Sequence, residues 1–143
     1  MIKQLAKFIE QREGYFEGTR AYRNNSPGNF RATPYIYSLG AIKKDKDGFA
    51  VFESYQDGFD ALCEFLIDVC NRRVKPYHIF NSRNVYHKKL LPAGKDGDEL
   101  PELTLVDFCN IYAPSFENDS DGYAEFLAEK LGVSKDIKIK ELL

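Results

Sequence analysis

Ile2, Leu5, Ala6 and Ile9 recur at the i, i+3, i+4 and i+7 positions of one helix face, and the pattern stops at Glu13-Gly14. At about 100° per residue, Glu13 falls on the same stripe, one turn past Ile9. A carboxyl group that continues an apolar stripe is partly withdrawn from water, and desolvation disfavours its charged form. Gly14 supplies the helix stop. Glu10 lies on the flank of this helix, and Glu17 sits past the stop beside Gly18, so Glu13 is the candidate acid.

The polar loop beyond it, Arg23-Asn24-Asn25-Ser26-Pro27-Gly28-Asn29-Phe30-Arg31, reads as one wall of a cleft. Ser26-Pro27-Gly28-Asn29 predicts a type II turn, with Pro at the second position and a positive φ at Gly28. Asn24, Asn25 and Asn29 carry amide donors and acceptors suited to sugar hydroxyl and acetamido groups, and Arg23 and Arg31 flank them.

With 143 residues and ordinary hydrophobic content, the chain is long enough to bury a core, and residues 1–143 are expected to form a single domain. A net charge of -2 gives no global attraction to nucleic acid or anionic membranes. No apolar run approaches the roughly 20 residues that span a bilayer. Lys3, Lys7, Glu10 and Arg12 break up any signal-peptide core, so synthesis in the cytoplasm is expected, and action elsewhere needs a separate delivery route. Cys63, Cys70 and Cys109 lie among apolar neighbours without metal-ligand spacing and read as small buried hydrophobes.

Residues 30–37 are rich in aromatic and β-branched types and predict a short strand. Lys43-Lys44-Asp45-Lys46-Asp47-Gly48 reads as a solvated charged turn, and residues 49–52 as the returning strand of a hairpin. Ser54 and Asp57 form a capping box that opens a helix to about Asn71, with Phe59, Leu62, Cys63, Leu66 and Cys70 as its buried stripe. Residues 72–103 are loop-rich, with a short helix near 85–90. Arg72, Arg73, Lys75, Arg83, Lys88 and Lys89 make this region basic, and Tyr77 and Tyr86 are interleaved, but a nucleic-acid interface is not the favoured reading. His78 and His87 lack a partner carboxylate pattern, so no metal site is expected. Thr104 and Asp107 form a second capping box, ahead of a helix ended by Pro114. Asn118 or Ser120 is expected to cap the last helix, whose buried face is Tyr123, Phe126, Leu127 and Leu131 and whose stop is Gly132. A short strand or final turn is expected in residues 133–143. The fold class is thus α+β, mostly α, with a small β-hairpin beside a helical core.

The Glu13-Gly14 helix end, the Arg23–Arg31 loop, the strand-then-helix segment 49–62 and the Tyr112-Ala113-Pro114 and Glu117-Asn118-Asp119 motifs occur here in an order that resembles one family. It is the lysozyme-like, lytic-transglycosylase-like peptidoglycan-degrading proteins of phages and prophages, similar in fold to goose-type lysozymes. The resemblance covers most of the chain and is thinnest over residues 72–103. It implies a lysozyme-like fold with Glu13 as the one catalytic acid, and Arg23, Asn24, Asn25, Asn29, Tyr112 and Asn118 as substrate-binding residues. Tyr112-Ala113 is similar to the Tyr-Asn-Ala segment of the transglycosylase cleft, although Ala113 follows Tyr112 directly. The other phage lysozyme arrangement, Glu followed nine residues on by Asp or Cys, is broken by Tyr22.

The implied activity is cleavage of the N-acetylmuramic acid–N-acetylglucosamine β-1,4 bond by a lytic transglycosylase or muramidase. Two-carboxylate glycosidases hold their acids roughly 5 to 9.5 Å apart. Asp57 is the best candidate for a second carboxylate, although it is expected to serve as a helix cap. The implied partners are peptidoglycan glycan strands and phage tail or virion proteins, with no cofactor, nucleic acid or membrane span. The implied location is the virion, or the periplasm and cell wall after delivery. The alternative is a non-catalytic virion protein or glycan-binding module that retains the fold.

Overall fold

Ile2, Leu5, Ala6 and Ile9 are all buried on one face of α1 (Ile2–Arg12) in the computed structural model, which describes residues 1–114 and 118–143. The helix ends where its sequence says it should. Glu13 is the C-cap, its backbone N–H bonding Ile9 O at 2.8 Å, and Gly14, whose N–H bonds Gln11 O at 3.1 Å, follows at φ +74°, a conformation open to glycine without a Cβ penalty.

The chain forms two compact units, Met1–Ile67 and Asp68–Leu143. It is α+β and mostly helical, with one two-stranded antiparallel sheet. Among the described residues, no helix is long and apolar enough to cross a membrane.

In the first unit, α1 is followed by a single turn, α2 (Arg20–Arg23), capped by the Thr19 hydroxyl. Residues 30–37 do not form the expected strand. Arg31 makes one isolated bridge to Phe49, and Pro34–Ser38 is a short helix, α3. The reason is local: the Thr33 hydroxyl accepts the Ile36 N–H, and Pro34 occupies the first turn, where its missing N–H costs nothing. These start signals outweigh the β propensity of the aromatic residues that follow.

The hairpin lies beyond α3. β1 (Lys43–Lys44) pairs with β2 (Ala50–Val51) in the register Lys43↔Val51 and Lys44↔Ala50, so the strand begins inside the stretch read as a charged turn. Asp45 closes the loop, its Oδ1 accepting the N–H groups of Asp47 and Phe49 at 2.9 Å each.

The turn at Ser26–Asn29 is a second correction. Asn29 N–H bonds Ser26 O at 2.8 Å, but the positive φ (+48°) falls on Asn29 rather than Gly28, so the turn is not type II. Gly28 instead provides room. A Cβ there would meet the Phe30 ring at 3.0 Å and Leu62 Cδ1 at 3.1 Å.

α4 (Tyr55–Cys70) starts with the Ser54 hydroxyl accepting the Asp57 N–H at 3.1 Å. Phe59, Leu62, Leu66 and Cys70 are buried along it, as their spacing predicts, and Cys63 is half-buried. The first unit closes around Leu5, Ile9, Ala50, Phe52 and Leu62, and the Phe30 ring sits edge-on to Phe65 at 5.2 Å.

In the second unit, a 3-10 turn at Lys75–Tyr77 precedes α5 (Val85–Leu90), which falls within the expected short helix and is capped by the Asn84 side chain. His87 is fully buried. Its Nδ1 accepts the Asn81 N–H at 2.9 Å, which leaves Nε2 to donate to Pro76 O at 2.7 Å. α6 (Leu105–Tyr112) carries the complete Thr104–Asp107 capping box.

α7 (Ser120–Leu131) ends at Gly132 in the left-handed conformation, as expected. Its N-cap is Asp119, accepting from Gly122 N–H, rather than Asn118 or Ser120; the Ser120 hydroxyl instead donates to Ala113 O. Tyr123 and Leu127 are buried on α7, while Phe126 and Leu131 are only half-buried. The tail forms the 3-10 turn Ile139–Leu142, tied in by a Thr104↔Lys138 bridge.

Candidate active site

Glu13, Arg23, Asn24, Asn25 and Asn29 all belong to the first unit, and Tyr112 and Asn118 to the second. Glu13 is half-buried at the end of α1, held there by the two backbone bonds that terminate the helix.

One turn back, Glu10 is part of a hydrogen-bonded cluster that sequence reasoning placed on an indifferent flank. The Tyr55 phenol donates to Glu10 Oε1 at 2.6 Å, and Lys7 Nζ donates to the Tyr55 oxygen at 2.7 Å. Lys7 Nζ also lies 3.6 Å from Glu10 Oε2. Burial, and then the bond to Glu10, pushes the Tyr55 phenol pKa up. The bond to Tyr55, with the Glu10 charge behind it, pushes the Lys7 ammonium up. This cluster joins the last turns of α1 to the first turn of α4 across 45 residues of sequence, so no local pattern announces it.

The aromatic residues around it form a row. Tyr15 contacts Tyr22 and Tyr55, each at 5.3 Å between ring centres, and Tyr55 stacks on Phe59 at 5.8 Å and 20°. Tyr15 and Tyr55 lie 40 residues apart, so no local pattern signalled this row.

The asparagine loop is built from its own side chains. Asn24 is buried, and its amide donates to Asp45 Oδ2 at 2.9 Å. That bond, followed by the N–H of Phe49 and of Asp47, holds the Asp45 carboxyl below the usual carboxylate range, with the Arg20 charge adding to it. Asn25 sits at φ +51°, a region that asparagine tolerates better than most residues, and its amide donates to Phe52 O at 3.0 Å. Phe52 N–H in turn bonds Asn24 O at 2.8 Å.

Asn29 is half-buried, and its Oδ1 is sealed from solvent without a hydrogen-bond partner among the described residues. Arg23 is exposed and turns back to Gly18 O at 3.1 Å. Asp57 is exposed, and it is its backbone N–H that Ser54 caps.

In the second unit, Tyr112 is half-buried, stacked on Phe108 at 5.2 Å and 18°, and edge-on to Tyr123 at 6.3 Å. Asn118 is exposed, with its N–H on Pro114 O at 2.9 Å. Glu117, which belongs to the Glu117-Asn118-Asp119 motif, lies outside the described residues, as do Ser115 and Phe116. Among the described residues, no group of three or more His, Cys, Asp or Glu side chains is placed to hold a metal ion. No family model, curated protein or solved structure matches this chain.

Proposed function

We propose that the chain is a peptidoglycan-cleaving glycosidase of phage or prophage origin, a lytic transglycosylase or muramidase with a lysozyme-like fold and Glu13 as its single general acid and base. The observation that supports it most is the placement of Glu13, a half-buried carboxyl at the end of a helix whose one apolar face is packed into the first unit. A residue whose backbone is anchored in that way acts from a rigid element, which a positioned acid requires. Glu10 is engaged with Tyr55 and Lys7, and Asp57 is exposed at the start of α4; in this reading Glu13 serves as acid and then as base.

In this reading the Glu13 carboxyl gives its proton to the glycosidic oxygen as the bond to C1 breaks. The resulting carboxylate takes the proton of the N-acetylmuramic acid C6 hydroxyl as that oxygen closes on C1. The sugar leaves with a 1,6-anhydro end, and the carboxyl is restored. Attack by water in place of the C6 hydroxyl gives a reducing end and makes the protein a muramidase. Because the Asn24 and Asn25 amides are bonded to Asp45 and Phe52, their part is to hold the loop in shape, and sugar contact within the first unit falls to Arg23 and Asn29. The partners are glycan strands, and phage tail or virion proteins that carry the chain to the cell wall.

The same two amide bonds favour a second reading, a virion protein or glycan-binding module that retains the fold without the chemistry, since a loop satisfied internally needs no substrate. Digestion of purified sacculi by wild type and Glu13→Gln, with mass analysis of the products, separates the two. Loss of a general acid is expected to slow turnover by about 10²–10⁴-fold. Anhydro ends that vanish in the variant support transglycosylation, reducing ends support hydrolysis, and no soluble product from the wild type removes both enzymatic readings.

A further inference from the structure

We propose that Tyr22 and Phe16 form a stacking subsite for one pyranose ring of a β-1,4 amino-sugar chain. The glycosidase reading supplies only the identity of the sugar; the surface itself follows from geometry. Phe16 is 64% exposed and Tyr22 45% exposed, two large rings offered to solvent, Phe16 on the turn that follows Glu13 and Tyr22 on α2.

This turn is tied down. Phe16 N–H bonds Gly14 O at 2.9 Å, and Phe16 O accepts both the N–H and the hydroxyl of Thr19, at 3.1 and 2.8 Å. The Thr19 oxygen accepts the Tyr22 N–H at 3.3 Å, so one threonine links the backbones that carry both rings. Behind Tyr22 stands Tyr15, itself against Tyr55, and that row fixes the direction of the Tyr22 ring. Aromatic side chains held in this way give a large contact area at a low cost in conformational entropy.

The ring face of an aromatic is its negative side and attracts the C–H groups that line one face of a pyranose. A nucleobase would stack as well, but a polyanion also needs cations free to track its phosphates. Two nearby arginines are turned onto the protein: Arg20 lies over the Phe49 ring at 3.8 Å and Arg31 over the same ring at 4.5 Å. A neutral sugar suits this surface better than a nucleic acid.

The test uses binding in a Glu13→Gln background, with chitotetraose and purified sacculi as probes and a single-stranded oligonucleotide as the competitor class. Tyr22→Ala and Phe16→Ala are each expected to weaken glycan binding roughly tenfold, the usual loss for an aromatic anchor, with thermal unfolding unchanged. Since the chain has no Trp, Tyr22→Trp installs a single tryptophan whose emission can be followed on its own. It should bind at least as well as Tyr22, with its emission shifted by the sugar. Unchanged affinity in both alanine variants, or tighter binding of the oligonucleotide than of the glycan, overturns the subsite. If wild type solubilises sacculi while both alanine variants bind normally, the subsite falls and the glycosidase reading stands. If the alanine variants lose glycan binding and wild type never turns over, the subsite stands and the glycosidase reading falls. If wild type binds neither glycan probe, both fall.

Discussion

A Cβ added to Gly58 would lie 1.8 Å from the carbonyl oxygen of Asn25, so the first turns of α4 pass the asparagine loop at a distance only glycine permits. In an ordinary helix, Gly→Ala gains about 1 kcal/mol through propensity. Here the sign reverses, because the clash is with backbone and the loop or the helix must shift. Gly58→Ala is expected to destabilise by about 2–3 kcal/mol, the upper range for overpacking, read as a lower urea midpoint at an unchanged slope. A stabilised variant would show that the two segments are not in this contact.

The link between Asn24 and Asp45 carries a pH dependence. The carboxyl of Asp45 is held below its ordinary range, so the folded form binds its proton less readily than the unfolded chain. Its contribution is whole above about pH 4 and is lost as pH falls through the lowered folded value. Asn24→Ala removes the largest cause of the lowering. The Asp45 titration followed by NMR should then move up towards that of a free aspartate, and the acid limb of stability should flatten.

Alkaline pH acts through the tyrosines. Burial, then a hydrogen bond to a carboxylate, raises the phenol of Tyr55 (onto Glu10) and of Tyr86 (onto Asp107, at 2.6 Å). The folded protein therefore keeps these protons where the unfolded chain gives them up. The contribution is complete below about pH 10 and is lost as pH rises through the raised values. The urea midpoint is expected to fall between pH 9 and pH 11, and to fall less in Tyr86→Phe; an equal or steeper fall in that variant would rule out this origin.

His87 tests a structural histidine. Its ring nitrogens satisfy the Asn81 N–H and the Pro76 carbonyl in a buried site. His87→Phe keeps the ring and orphans both backbone groups, at a cost of about 2–4 kcal/mol. His87→Gln, which retains one donor and one acceptor, should recover part of that loss in the same denaturation experiment.

Reading the sequence succeeded where a local pattern and its tertiary outcome coincide. The α1 stripe, the Thr104–Asp107 box, the short helix at 85–90 and the Gly132 stop are all set by residues within one or two turns of one another. It failed where two local signals compete. Thr33-Pro34 opens a helix inside an aromatic stretch, and Asn29, not Gly28, takes the left-handed conformation, while Gly28 serves by its lack of bulk against Phe30 and Leu62. Around the candidate site the limit is distance in sequence. The position of Glu13 follows from helical phase, whereas the Lys7–Tyr55–Glu10 cluster and the Asn24–Asp45 bond join residues 21 to 48 positions apart. Polar pairs at such separations leave no periodic trace.

The packing of Cys70 bears on where such a chain can work. Its thiol donates to Ile139 O at 3.3 Å, and burial pushes its pKa to about 11. At neutral pH only about one molecule in ten thousand carries the thiolate, the form that attacks oxidants and disulfides. An oxidant therefore meets little reactive sulfur at Cys70, which is a free cysteine in this fold.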